Sequence, residues 1–398
     1  MPRRDDRRSG TRPGAIPGRL VGSALGLATV GVLPVFLAGA LAVQLSAEFG
    51  YGPRGIGLSI AGFHIASTLS SIALGRLADR IGWQRSVRIG GLGCVLCLAA
   101  LGGLARSLPT VLLLLGLAGL ANALVQPSVN LLLARESPPH QRGLIFGLKQ
   151  SAIPLATLIG GISVPVVALT IGWRWVFALA AAIGAFVLLW LPPADELRSH
   201  PRSETSARAP IPVGSLAPLV VLALLGQTGA SVLGSFVVAS AVQIGMTEGN
   251  AGILLAAASV IGIASRVALG RAADRGLRLD LVPIASLLLV GSAGLALVAI
   301  QDEWAAIVGT TVAFAAGWGW PGLFNLLVVD RFAQAPATAT SATQTGVYVG
   351  NGAGPLVFGV IAAVSFPAAW LMSALLLLLA GSVAIGAHVL DRNRARAV

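Results

Sequence analysis

Few side chains in this sequence can bind or move charge, and they are unevenly placed. None of the fifteen acidic residues falls within the middle of an apolar run: Asp330 stands at the end of one, and Glu48 and Glu248 at the ends of others. His64 is the one imidazole deep in apolar sequence, so it is the candidate for proton coupling, with a hydrogen-bonded packing role as the alternative. Lys149 lies about seven residues into an apolar run, roughly 10 Å from its end at about 1.5 Å per residue. Arg266 lies about a turn from the end of another run. If both cations face one cavity they favour an anionic group such as a carboxylate; the alternative is that their alkyl stems carry the charges out to the interface.

Uncharged polar residues repeat at helical spacing. Asn122, Gln126 and Asn130 follow at i, i+4, i+8, and Gln227, Ser231 and Ser235 do the same. Gln344, Tyr348, Asn351 and Pro355 fall at i, i+4, i+7, i+11, and Gln150, Pro154, Thr157 and Gly161 occupy the corresponding places in an earlier run. Such faces avoid lipid, so they line a cavity or hold helices together.

The elements that must position these residues follow from composition. Hydrophobic residues make up 56% of the 398 and charged residues 11%, against about 25% charged in soluble chains; mean hydropathy is +0.85. These values exclude soluble enzymes, nucleic-acid modules and disordered scaffolds. Breaking the chain at charged and turn-forming clusters gives twelve runs: 20–45, 56–74, 87–105, 109–133, 144–170, 174–191, 216–243, 250–269, 281–300, 304–328, 341–363 and 367–388. They lack period-2 alternation, so they predict membrane-spanning helices and not barrel strands. Pro34, Pro127, Pro154, Pro165, Pro321 and Pro355 lie within them and permit kinks. Cys94 and Cys97 sit inside an apolar run and read as small apolar side chains.

The net charge of +12 does not point to nucleic acid, because the 27 basic residues punctuate the gaps between runs. With both termini cytoplasmic, only Arg54, Arg106 and Arg174 fall in outer loops, and the other 24 lie on the inner side. The expectation is a multi-pass protein of the cell membrane, a monomer in the lipid bilayer with a small-molecule substrate, no cofactor and no metal.

An internal repeat divides the chain. Leu74-Gly75-Arg76-Leu77-Ala78-Asp79-Arg80 reappears as Leu269-Gly270-Arg271-Ala272-Ala273-Asp274-Arg275, a shift of 195. Lys149-Gln150-Ser151 matches Thr343-Gln344-Thr345 at a shift of 194, and Pro127 and Asn130 have counterparts in Pro321 and Asn325. This predicts an all-α integral membrane fold of twelve helices in two pseudo-symmetric six-helix bundles. The expected divisions are a tail 1–19, a first bundle 20–191, a polar linker 192–214, a second bundle 215–388 and a tail 389–398.

Gly75 to Arg85 resembles the loop signature of the major facilitator superfamily of transporters, with a degenerate copy from Gly270 to Arg278. It departs from the family pattern at Trp83-Gln84-Arg85, where a basic pair is usual. The resemblance implies alternating access by rocking bundles, with the substrate surrounded by spans one, four, seven and ten. It also implies a latch of Gly75, Asp79, Arg80, Gly82 and Arg85 with Arg135, mirrored by Gly270, Asp274 and Arg331. Cavity candidates are then Asn122, Gln126, Asn130, Lys149, Gln150, Gln227, Arg266, Asn325, Gln344, Tyr348 and Asn351. A secondary carrier, with an organic anion as one substrate class, is the leading function. A transport-inactive sensor or assembly protein, or an integral-membrane enzyme, are the rivals; His64, His140, His200 and His388 are too scattered for metal chemistry.

Overall fold

Apolar runs of this length satisfy their own backbone only as helices, and helix is the regular structure seen among the described residues. The computed structural model describes residues 18–136, 142–191, 213–277 and 279–396. The first eight helices are α1 (Gly18–Ala40), α2 (Ala42–Phe49), α3 (Pro53–Ile81), α4 (Trp83–Leu104), α5 (Leu108–Glu136), α6 (Arg142–Gln150), α7 (Ala152–Ser163) and α8 (Trp173–Leu189). The second eight are α9 (Val213–Ala230), α10 (Leu233–Gln243), α11 (Glu248–Asp274), α12 (Leu281–Val298), α13 (Glu303–Val312), α14 (Trp320–Arg331), α15 (Pro336–Ala362) and α16 (Phe366–Arg396). End to end, α1–α2, α6–α7, α9–α10 and α13–α14 each form one rod, so the sixteen helices make twelve rods. Ten of these are long and apolar enough to cross a bilayer. The other two are α3, diluted by His64 and a run of Ser and Thr, and α8, whose 17 residues rise about 26 Å. The chain is a multi-pass membrane protein.

The first rod sits innermost. Its most apolar window is 78% buried, against 44–61% for the other nine spans. Outward faces carry exposed Leu113, Ile162, Phe186, Val260 and Leu375, an apolar surface suited to lipid rather than water. Cys94 and Cys97 are buried and unpaired by disulfide.

Proline divides the rods unequally. Pro34, Pro127 and Pro355 stay inside continuous helices. Pro154 falls in the first turn of α7, and Pro321 in the first turn of α14. Pro165 enters a π turn at Val164–Ala168, and a second π turn, Ala313–Gly317, separates α13 from α14. Lacking an N–H, Pro154 leaves the Gln150 carbonyl four residues earlier without its helical donor. The tight turn between α3 and α4 rests on Gly82, whose φ of +86° a side chain would resist.

Within the expected tail from residue 389, α16 runs on to Arg396. Residues 1–17 and 192–212, which hold most of the expected first tail and linker, lie outside the described residues.

Candidate functional site

The seam between the fifth rod (α6–α7) and the eighth (α11) is built first from missing side chains. A Cβ on Gly161 would stand 2.6 Å from the Gly252 carbonyl oxygen, and one on Gly147 would stand 2.9 Å from that of Arg266. The backbones therefore touch both near the end bearing the termini and well toward the opposite, far end. Into this seam Arg266 lays its guanidinium, only 4% exposed. Its Nη1 donates to the Gln150 carbonyl orphaned by Pro154 at 2.7 Å. Its Nε and Nη2 donate to the Trp318 carbonyl, in the break before α14, at 2.9 and 2.7 Å. The guanidinium also lies 5.5 Å from the Trp318 ring centroid. Arg266 thus ties three rods through two backbone carbonyls, and its donors point at protein rather than at open space. Above it the Thr157 and Ser259 hydroxyls share a hydrogen bond of 2.7 Å.

The uncharged candidates form separate clusters, one in each half. Asn122 Nδ2 donates to Ser67 Oγ at 3.3 Å, and Gln126 Nε2 to the Ala28 carbonyl at 3.0 Å. The Asn122 Oδ1 is buried without a hydrogen-bond partner among the described residues, facing Gly31. In the second half Gln227 Nε2 donates to Asn351 Oδ1 at 2.7 Å, and Gln344 Nε2 to Asn325 Oδ1 at 3.0 Å. Gly346, Gly350 and Gly354 of α15 let it pack on α9, where Val220, Leu224 and Thr228 present backbone atoms.

The remaining polar candidates carry fewer contacts. Asn130 is exposed, and Lys149, Tyr348 and His64 are half-buried. Lys149 makes no hydrogen bond or ion pair among the described residues. It lies eleven residues, close to three turns, before Gly160, which packs against Ala40 and Phe36 of α1. The turn at Ser151 separates Lys149, in the last turn of α6, from that contact. His64 stands edge-on to Phe63 with ring centroids 5.1 Å apart.

At the terminus-bearing end the latch candidates separate. Asp274 Oδ2 accepts from the Leu144 amide at 2.8 Å, in the first turn of α6, where a carboxylate complements the helix dipole and bridges the halves. Arg331 does not join Asp274: it makes a bidentate pair with Asp391 of the twelfth rod at 2.6 and 2.8 Å. A Cβ on Gly75 would meet nothing within 4 Å, and Arg80 and Arg85 are exposed. Gly270 lies close to Gly147 across the seam. The side chains of Asp79 and Arg135 lie outside the described residues.

The far end is closed. Gly57 of α3 approaches the Pro355 carbonyl and Gly359 of α15, and Gly39 of α1 approaches Ser235 of α10. Gln44 Nε2 donates to Glu248 Oε2 at 2.5 Å across the halves. Beside this closure Glu48 accepts from Arg174 at 2.9 and 2.7 Å and from Trp173 Nε1 at 2.7 Å. Arg174 holds the Glu48 carboxyl below its ordinary range, outweighing the upward push of burial.

Sequence reasoning misses three contacts between halves. Phe36 and Trp318 meet edge-to-face at 5.9 Å, and both look like ordinary apolar filling in their runs. The Thr157–Ser259 and Gln44–Glu248 bonds join residues 102 and 204 positions apart, with no local signal to pair them.

A family model described as the Major Facilitator Superfamily matches residues 23–355. Over 167 residues the chain is 29% identical to a protein of Bacillus subtilis named for metabolite transport, covering 42% of this chain and 36% of that one. It is 27% identical over 155 residues to a chloroplastic sodium-dependent phosphate transport protein of Arabidopsis thaliana, 38% of this chain and 30% of that one. It is 25% identical over 325 residues to a multidrug resistance protein of Enterobacter lignolyticus, 78% of this chain and 77% of that one. The chain spans about a third of the length of the first two of these relatives.

Proposed function

From the premise that this chain belongs to the Major Facilitator Superfamily, we propose that it is a secondary or facilitative carrier that moves a small solute by alternating access. The observation that carries the reading is the closed far end, where Gly57 meets Pro355 and Gly359 and Gln44 bonds Glu248 across two groups of rods that each hold a polar cluster. Gln126, Lys149, Gln227, Tyr348 and Asn351 offer amides, a phenol and an ammonium within otherwise apolar rods, with the exposed Asn130 beside them. A solute binds there, and the halves then exchange which end is closed. The two groups correspond to the first bundle 20–191 and the second 215–388. In this reading the terminus-bearing end faces the cytoplasm across a cell membrane, a side supported by the basic residues that crowd it in the sequence.

The substrate class proposed is an organic anion. Lys149 supplies a half-buried cation within the apolar fifth rod, with no hydrogen bond or ion pair among the described residues, and such a charge is costly unless a ligand or water neutralises it. The phosphate transport protein among the relatives agrees with an anionic class, whereas the multidrug resistance protein leaves an apolar cation as the competitor. His64 is the proposed proton-coupling group. Asp79, Arg80, Arg85 and Arg135 are the proposed latch around the α3–α4 turn, with Asp274 and Arg331 proposed as its mirror in the second half.

The test is flux. Purified chain is screened for thermal stabilisation by small carboxylates, amino acids, sugars and cationic drugs, and hits are followed into proteoliposomes with and without a pH gradient. Saturable uptake of a carboxylate supports the reading. Binding without flux for every hit supports the sensor alternative, and covalent turnover of a hit supports an enzyme.

A further inference from the structure

The repeat makes the two seams between the halves comparable residue by residue. At shifts of 195 and 194, the eighth rod corresponds to α3 and the fifth to α15, so the seam α6–α7 with α11 has its counterpart in α15 with α3. Leaving aside the Asp274–Leu144 bond, whose counterpart Asp79 has a side chain outside the described residues, the first seam is fastened by Arg266 to the Gln150 carbonyl, Thr157 to Ser259, and Gly161 against Gly252. In the second, the close glycine contacts of α3 with α15 fall at Gly57, Gly352 and Gly359, in the far half and middle, and Gly75 meets nothing.

Sequence accounts for the difference. The counterpart of Arg266 is Ser71, whose hydroxyl is spent on the Thr68 carbonyl of its own helix. The counterpart of Pro154 is Tyr348, so no missing N–H exposes the Gln344 carbonyl as Pro154 exposes that of Gln150. Both parts of the fastening are absent. The two rods of this seam are also unusually polar: α3 is not among the ten apolar spans, and α15 has the lowest mean hydropathy of those ten, 1.2. Their terminus-end portions carry Ser67, Ser70 and Ser71 on one side and Ser341, Gln344 and Thr345 on the other.

We infer that the two seams do unequal work: the α6–α7/α11 seam, bolted by Arg266, is the hinge, and the α3/α15 seam is the gate through which a polar solute reaches the interior from the terminus-bearing end. Arg266 acts as a positioning residue, holding the fifth, eighth and tenth rods together through both end states. The polar composition of both rods at this end suits a hydrated path for the solute, since hydroxyls and amides accept hydrogen bonds in place of lost hydration. This rests on the carrier reading for its purpose, but its geometry is tested without flux.

The experiment is pulsed electron–electron distance measurement on the full chain in lipid nanodiscs. One sample carries nitroxides at Arg76→Cys and Ser341→Cys, across the gate, and a second at Leu144→Cys and Arg271→Cys, across the hinge; Cys94 and Cys97 are buried and take no label. The expected result is two resolved distance components for the first pair and one narrow component for the second. Equal breadth at both seams, whether both move or neither does, overturns the inference. Ser71→Arg, which supplies a bolt to the gate, is expected to shift its population toward the shorter component, and an unchanged distribution counts against the role given to Arg266. Failure of the carrier reading shows separately, as absent uptake by native proteoliposomes whatever the distances.

Discussion

Replacing Arg266 with Gln separates a structural bolt from a substrate cation. The native side chain places three donors on two carbonyls at 2.7, 2.7 and 2.9 Å. Hydrogen bonds from charged groups contribute about 1.5–3 kcal/mol each, and an orphaned buried acceptor costs about 1–3 kcal/mol. A Gln amide reaches one carbonyl at most, so at least one of Trp318 and Gln150 is left without a donor. Removing the buried charge returns part of that loss, because its desolvation is relieved. The net is a destabilisation of about 2 kcal/mol, or about 4–8 °C in unfolding midpoint for domains of the size of each half. Arg266→Lys keeps the charge but not the fork, and is expected to be destabilised about as much. The assay is the unfolding midpoint of purified protein in one detergent, with no added solute. Midpoints unchanged in both variants refute the bolt. A midpoint lowered in Arg266→Gln but restored in Arg266→Lys assigns the role to charge rather than to the fork.

Other expectations follow from separate contacts. Lys149→Ala is expected to abolish saturable uptake of carboxylates while Lys149→Arg retains it, measured as initial rates in proteoliposomes; equal rates for native and Ala forms remove the anion reading. Because the Glu48 carboxyl is held below its ordinary 4.5 by Arg174, this pair stabilises the fold above about pH 4.5 and ceases to do so as pH falls through the lowered value. The pair is about a third exposed, so its worth is at most about 1 kcal/mol. Glu48→Gln should accordingly flatten the acid limb of the midpoint-against-pH curve and leave the neutral region little changed, whereas an unaltered acid limb contradicts the assignment. Gln44→Leu is expected to loosen the far-end closure, read as faster maleimide labelling of Ser235→Cys from that side; identical labelling rates would show that the glycine contacts alone hold it shut. Gly161→Leu drives a side chain into the backbone of Gly252 and Ala256, an overpacking cost of about 1–3 kcal/mol or more, seen as a lowered midpoint.

Much of the architecture is local information and therefore readable along the chain. Apolar runs of about 20 residues must become helices in lipid whatever surrounds them, so the ten apolar spans and their order follow from hydropathy. The repeat of Gly75–Arg80 at Gly270–Arg275 fixes which rods correspond. The polar stripes were legible too, since helical spacing puts Asn122 with Gln126 and Gln344 with Tyr348 on one face. Tertiary structure alone decides what those faces meet. Asn122 finds Ser67, Gln227 finds Asn351, and Arg331 finds Asp391 in place of the expected latch partner, because each choice depends on which rods are neighbours. Arg266 is the clearest case. Its sequence position gave a cation near a helix end, but its partners are backbone carbonyls, one exposed by a proline in another rod and one by a helix break in a third. Carbonyls have no letter in a sequence, and so a chain whose repeat reads as two equal halves closes on two unequal seams.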